Sequence, residues 1–504
     1  MAKQIKYFFI LFLILYFLTT SPAIASESIT TVDLTLPYKA LYITSCDFNG
    51  NGKKSIVAAD ENNITVFQQN NNFSFKSYTI RSKDKIVALN SCKIRETNEE
   101  IIVCRSVDKL FYYSPNLVGK INEPTYINLP KDTPKFIEKQ KNIKNYSFVL
   151  DLNNDALGDI AIPCENGFLV LFQTESLVFK PFFILISDSS RDTYLNIQSW
   201  PKIGENAQKI DRGLFFFPAT NIRQEYWFQD YNKDGLLDII SITGNSSSYQ
   251  LGVYLQKHNH EFQPPKYIKI PLVNYESNSF ASLLLLDLDN DGYLDIVETN
   301  IEYPLKGNSS FLPVLVIKTF FANSLFEFNN LPSNAFKSVF IPWLNNITDL
   351  DYDNNYEIIV SPSPLKLGAK ESLIKFATNR EITFNFGYYH IDKSKKRYIQ
   401  YSAFDKDFSI TLPNFADMEN FKQLIRFENI TGGKFSDIIL LKNSSLIELT
   451  TLKKLKNSLV IDKCVKIYLP CPAFEIQIID IDSDGKKEFL VLDQSGRRLY
   501  TIHL

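Results

Sequence analysis

The stretch Asp230-Tyr231-Asn232-Lys233-Asp234-Gly235-Leu236-Leu237-Asp238 sets oxygen-bearing side chains at the first, third, fifth and ninth places of a loop, with glycine sixth. Asp287 to Asp295 and Asp480 to Glu488 repeat the arrangement. Such a set suits a hard cation of the calcium type, which takes about six to eight oxygens in a flexible shell. Glycine permits the positive φ that folds the ligands back on one another. Short apolar runs flank the copies: Leu283-Leu284-Leu285-Leu286 leads into one loop and Ile296-Val297 leaves it. Those flanks are β-type, whereas an EF-hand loop lies between helices and closes with glutamate at its twelfth place. A repeated acidic turn between strands decides the architecture before any residue receives a chemical role.

Aligning on the strand after the loop gives eight units, with loops at 47–55, 92–100, 151–159, 230–238, 287–295, 349–357, 429–437 and 480–488. The first keeps Asp47, Asn49, Asn51 and Gly52 but has Ser55 at the ninth place. The third keeps Asp151, Asn153, Asp155 and Asp159 and carries Ala156 in place of glycine. The fourth offers Asp230, Asn232, Asp234 and Asp238, and the fifth Asp287, Asp289, Asp291 and Asp295. The sixth has Asp349, Asp351, Asp353 and Glu357, with Asn354 at the glycine place; asparagine is the next most tolerant of left-handed backbone. The eighth has Asp480, Asp482, Asp484 and Glu488. The loops at 92–100 and 429–437 have lost the ligand set, so the expectation is four to six loops holding Ca²⁺ and two without it.

Each unit reads as four strands: one into the loop, one out of it, an aromatic third, and a fourth often ending in Leu-Pro. Fourth-strand candidates also number eight, and the first, Val32-Asp33-Leu34-Thr35-Leu36-Pro37, precedes the first acidic loop. The chain ends after a third strand, Arg498 to Ile502. The N-terminal strand is therefore expected to complete the last blade and leave no open edge. The fold class expected is an all-β propeller of eight four-stranded blades, with seven as the alternative if the unit at 92–100 is not a blade.

The loops resemble the FG-GAP/VCBS repeats, found in the β-propeller of integrin α-subunit heads and in many secreted proteins. The resemblance covers nearly the whole chain after its first residues, although the Phe-Gly and Gly-Ala-Pro elements that name the family are not evident. It implies one blade per repeat, calcium between the first two strands, and a role in binding or adhesion. Some propellers with such repeats belong to polysaccharide lyases or to phospholipases, so an active site on the face opposite the metal loops is the alternative.

Net charge of −2 and an isoelectric point near 6.2 argue against a nucleic-acid partner reached by bulk electrostatics. Residues 1–25 read as a signal peptide: Lys3 and Lys6, an apolar run from Tyr7 to Leu18, then Ala23-Ile24-Ala25. No second long apolar run follows, so residues 26–504 are expected as a monomeric propeller with no membrane span. It would be secreted, or periplasmic if bacterial, where millimolar calcium suits weak structural loops. Cys46, Cys92, Cys104, Cys164, Cys464 and Cys471 allow either disulfides or buried thiols.

Topology puts the acidic loops and the turns between third and fourth strands on one face, and the long connections on the other. The longest connection, near 187–224, carries Trp200, Phe215, Phe216, Phe217 and Arg223, the candidate surface for an extracellular protein or carbohydrate. Loops at Thr299–Leu312 and Pro362–Glu371 fall on that same face. An added hairpin is expected near 383–402, its basic turn Lys393-Ser394-Lys395-Lys396-Arg397 serving as a solvated, edge-protecting device. No residue is assigned a catalytic role: among the histidines, His258 and His260 fall near a turn and read as solvent-exposed, and no nucleophile or phosphate-binding motif appears.

Overall fold

The structure is a computed structural model. It describes residues 30–503 except 71–73, 95–98, 116–120, 132, 134–147, 165–166, 176, 186–193, 196–224, 246–247, 270–279, 303–313, 325–326, 330, 340–345, 362–380, 412–424 and 456–457. The signal-peptide reading, the aromatic cluster at Trp200, Phe215, Phe216, Phe217 and Arg223, the loop Pro362–Glu371 and most of Thr299–Leu312 lie outside the described residues. Among the described residues no helix is long and apolar enough to cross a membrane.

Eight four-stranded antiparallel blades follow one another along the chain, seven with their strands in sequence order and the last completed by the first strand of the chain. Blade one is Tyr42–Cys46, Ser55–Ala59, Asn63–Gln69 and Phe75–Arg81. Blade two is Ala88–Lys93, Glu100–Arg105, Leu110–Tyr113 and Thr125–Ile127, so the degenerate unit is a blade and the count is eight. Blade three is Val149–Leu150, Asp159–Cys164, Gly167–Glu175 and Val178–Leu185. Blade four is Glu225–Gln229, Asp238–Asn245, Ser248–Tyr254 and Lys266–Lys269; Tyr194–Leu195, from the long connection, adds a fifth strand parallel to its first.

Blade five is Phe280–Leu286, Asp295–Glu302, Val314–Phe320 and Asn334–Val339, with a small hairpin of Ala322–Ser324 and Glu327–Phe328 before its last strand. Blade six is Ile347–Thr348, Glu357–Val360, Glu381–Asp392 and Arg397–Thr411. Blade seven is Ile425–Glu428, Asp437–Asn443, Leu446–Leu455 and Ser458–Tyr468. Blade eight takes Ala473–Ile479, Glu488–Asp493 and Arg498–His503 from the end of the chain and Thr30–Thr35 from its start. The closing pair runs from Thr30 opposite His503 to Thr35 opposite Arg498, as the strand count requires.

The hairpin expected as an addition near 383–402 is instead the outer half of blade six. Glu381–Asp392 and Arg397–Thr411 pair along their length, and Tyr389 to Gly387 pair with Ile358 to Val360 of the second strand. These strands outrun their short inner neighbours, which made the unit look longer than a blade.

Burial follows position within the blade. Second strands such as Ser55–Ala59 and Glu488–Asp493 are buried at every residue because a neighbouring blade covers each face. Outer strands such as Phe75–Arg81 keep the alternation of a half-covered strand. The core is accordingly a ring of apolar clusters between blades. Tyr42, Val57, Leu89 and Phe111 join blades one and two, while Leu34, Ile56, Leu490 and Leu499 join eight and one. All six cysteines are free thiols, and Cys46, Cys92, Cys104 and Cys164 are buried; burial pushes the Cys92 thiol up to about 12.

Leu34 packs into the closing junction. Leu34→Ala is expected to cost about 2–4 kcal/mol in urea unfolding, whereas Tyr468→Ala, on the exposed edge of blade seven, should stay within about 0.5 kcal/mol.

Candidate metal centre

All eight acidic or degenerate loops join the first strand of a blade to its second. In the six acidic loops, backbone amides fold the turn around the side chains. In blades three, four and six the first aspartate accepts from the fifth and sixth residues: Asp151 from Asp155 and Ala156, Asp230 from Asp234 and Gly235, Asp349 from Asp353 and Asn354. The fifth accepts from the seventh, as in Asp155 with Leu157, Asp291 with Tyr293 and Asp484 with Lys486. Two residues per loop are left-handed. The sixth is Gly52, Ala156, Gly235, Gly292, Asn354 or Gly485, and the fourth is Gly50, Asn154, Lys233, Asn290, Tyr352 or Ser483. Only the sixth place was anticipated; glycine or asparagine at the fourth in three loops was the available sign.

In blades five, six and eight the acids converge. One ligand oxygen each from Asp287, Asp289 and Asp291 lies within 4.8 Å of the others, and likewise for Asp349, Asp351 and Asp353, and for Asp480, Asp482 and Glu488. Asp351 Oδ1 and Asp480 Oδ1 are buried with no hydrogen-bond partner. A buried carboxylate oxygen without a donor is costly, and a bound divalent cation would satisfy it. The donor set, all carboxylate and amide oxygens, fits a hard cation.

The ninth residue does more than face the cluster. Asp159 is fully buried, its Oδ2 accepting the N–H of Leu152 (2.9 Å) and its Oδ1 that of Gln173 on the third strand (2.8 Å). Asp238 joins Tyr231 to Gln256, and Asp295 joins Leu288 to Ala322, in the same way. The glutamates, one methylene longer, take the second-place amide with one oxygen and set the other near a third-strand histidine. Glu357 holds Leu350 N and lies 3.5 Å from His390, while Glu488 holds Ile481 N and lies 3.6 Å from His503. Blade seven lacks the rest of the ligands yet keeps Asp437, which accepts from Ile430 and Thr431. In blade one, Ser55 replaces the acid and Glu100 of blade two stands in, accepting Asp47 N and pairing with Lys54.

The loops also stitch the blades together. The eighth N–H of one loop donates to the second carbonyl of the loop before it: Lys54 to Ile481, Gly158 to Lys93, Leu237 to Leu152, Tyr356 to Leu288, Ser436 to Leu350 and Lys487 to Ile430. Glu100 N to Asp47 O makes the same link one place along. Between blades four and five Lys233 reaches across, its Nζ 2.9 Å from Asp291 O.

Burial foremost raises the ninth acids. Asp159 and Asp238 rise from an ordinary 3.8 to about 7 and Asp295 to about 8, with the neighbouring loop aspartates adding to the rise against backbone donors that lower it. Burial also raises Asp287, Asp289, Asp349 and Asp482. A divalent cation would reverse this balance.

Elsewhere two expectations change. His260 is not free in solvent: it takes a left-handed backbone at φ 67° and its ring lies 4.7 Å from that of Phe172. The basic turn is not merely solvated, because Lys396 Nζ sits 2.5 Å from Asp291 Oδ2 and 2.6 Å from Ala322 O.

Residues 230–298, from the acidic loop of blade four through that of blade five, match a family model described as an FG-GAP-like repeat. The protein is thus an eight-bladed β-propeller carrying an FG-GAP-like repeat. A solved structure of an Agrocybe aegerita lectin, titled for specific recognition of non-reducing terminal N-acetylglucosamine, aligns at 12% identity and a TM-score of 0.39, over 93% of this chain and 86% of that one. No curated protein matches the chain.

Asp437 tests whether the ninth acid works without a metal. Asp437→Ala strands the Ile430 and Thr431 amides and is expected to lower stability by about 2–3 kcal/mol, equally with calcium and with chelator in thermal unfolding.

Proposed function

We propose that the protein is an exported, calcium-binding propeller in which the cation stiffens the loops and the ring serves as a protein- or glycan-recognition module. The observation that carries the calcium reading is the pair of orphaned, buried oxygens, Asp351 Oδ1 and Asp480 Oδ1, each within a cluster of acids. The expected ligands are Asp47, Asn49 and Asn51; Asp151, Asn153, Asp155 and Asp159; Asp230, Asn232, Asp234 and Asp238; Asp287, Asp289, Asp291 and Asp295; Asp349, Asp351, Asp353 and Glu357; and Asp480, Asp482, Asp484 and Glu488. Calcium would supply positive charge that holds these acids ionised, and because it binds the folded chain it adds stability by mass action. The protein's part is the prior folding of each turn by its own amides, which leaves little backbone to order on binding.

The sign of the pH dependence follows from the raised acids. A carboxyl group whose folded pKa exceeds its unfolded value stabilises the fold below the unfolded value, and that contribution is lost as pH rises through the folded one. For Asp159, Asp238 and Asp295 the window runs from the ordinary 3.8 up to about 7 or 8. In chelator, the melting temperature is expected to fall as pH rises across that window. Added calcium should restore it most at the alkaline end and least at the acid end. A melting temperature that ignores both chelator and calcium at pH 8 would sink the calcium reading.

For recognition, the described surface offers a groove of about 470 Å³ lined by Lys266, Tyr267, Lys269, Asn323, Glu327 and Phe328, between the edge of blade four and the small hairpin of blade five. It combines an exposed aromatic face with charged and amide groups, a mixture suited to a polar ligand with one apolar side. A glycan array and a pull-down, each with and without calcium, are expected to give a bound class that Tyr267→Ala weakens about tenfold or more, as loss of a ~1.4 kcal/mol contact would. Binding untouched by that change would move recognition elsewhere on the ring.

A further inference from the structure

The acidic loop of blade five holds a lysine ammonium in direct hydrogen-bond contact with one of its three clustered aspartates. Lys396 Nζ lies 2.5 Å from Asp291 Oδ2 and 2.6 Å from the carbonyl of Ala322, whose amide in turn holds Asp295. Asp287, Asp289 and Asp291 are the three acids of this cluster. Lys233 Nζ takes the carbonyl of Asp291 from the other side, at 2.9 Å. Asp291 is therefore gripped by ammonium groups from both neighbouring blades.

The placement of Lys396 is built. It ends the short 3₁₀ turn Lys393–Lys395 in a left-handed conformation, φ 46° and ψ 50°, which an unbranched side chain adopts only against a cost. Two residues on, Tyr398 is buried on Phe321 and Phe336, donates its hydroxyl to Tyr356 O, and exchanges hydrogen bonds with Asn334. The turn of blade six is thus pinned to blade five on both sides of the strand start. In blade six the comparable approach is looser, Lys454 standing 3.5 Å from Asp351 Oδ2. In the blade-eight cluster Asp480 Oδ1 has no partner at all.

We propose that Lys396 is a tethered resident cation of the blade-five loop, which calcium must displace, so that this loop fills only at higher calcium than the loop of blade eight. This rests on the calcium reading above. A tethered ammonium competes at a fixed local concentration and repels an arriving divalent ion at close range. Blade five consequently keeps its acids neutralised when calcium is scarce.

The test is calcium titration by calorimetry, with thermal unfolding in chelator and in saturating calcium, on the full chain and on Lys396→Met and Lys396→Arg. Lys396→Met is expected to tighten one weak site about tenfold, the effect of removing a ~1.4 kcal/mol competitor. It should also melt earlier than wild type in chelator, and the deficit should vanish in saturating calcium. Lys396→Arg should keep wild-type affinities. Adding Asp287→Asn to Lys396→Met should abolish the gained affinity and place it in blade five. If the wild type binds calcium but Lys396→Met leaves every affinity unchanged, the proposal is overturned. If the wild type binds none at any loop, the calcium reading itself fails. A Lys396→Met deficit of equal size in chelator and in calcium would mark a purely structural ion pair and also overturn it.

Discussion

A buried carboxylate at the end of the turn between first and second strands, present in blades three to eight, organises the ring. Its oxygens take one amide from the start of the loop and, in blades three, four and five, a second from the third strand or the residues just past it. An ionised acid in so dry a place is unfavourable unless donors surround it, so the loop, the second strand and the third strand must assemble together. The residue whose amide it holds is itself buried, as Leu152, Leu288, Leu350, Ile430 and Ile481 are. The carbonyl of that residue then accepts from the next blade at most junctions. In those blades one side chain thereby links the inside of a blade to the contact between blades.

This explains why blade seven can lose its cation ligands and remain a blade. Asp437 still performs the bridging, and its neighbour Ser436 still donates to Leu350. Blade one shows the converse: with Ser55 at the ninth place, Glu100 is borrowed from blade two. The proposed cation binding would be an additional layer on a scaffold whose geometry the protein's own amides set. In blades five, six and eight three carboxylates crowd within a few ångströms, and charge from elsewhere in the chain, such as Lys396 in blade five, becomes part of the loop's chemistry.

Eight blades and their closure were legible because the acidic turn recurs in register with strands, and because fourth strands could be counted from Leu34 to Leu469. The convergence of the acids in blades five, six and eight was legible for the same reason. The left-handed fourth residue was not, since Lys233, Tyr352 and Ser483 carry no mark of it. Nor was the second duty of Asp159 or Glu357, which depends on where the third strand passes. The long strands of blade six passed for an insertion because pairing, unlike periodicity, is not written locally. Lys396 finds Asp291 across 105 residues, a contact that only the order of blades around the ring creates.

The closing strand also fixes where the chain can be extended. Thr30 lies opposite His503, and both stand at the edge where third strands arrive, the edge that bears the acidic turns. A polypeptide joined after His503 would therefore leave from that side, beside the start of the closing strand. A tag, a tether or a neighbouring domain attached there would present the opposite rim outward, unobstructed, as a cup held by its base presents its mouth. The same proximity suits the ring to circular permutation, with His503 joined to Thr30 and new ends opened between two blades.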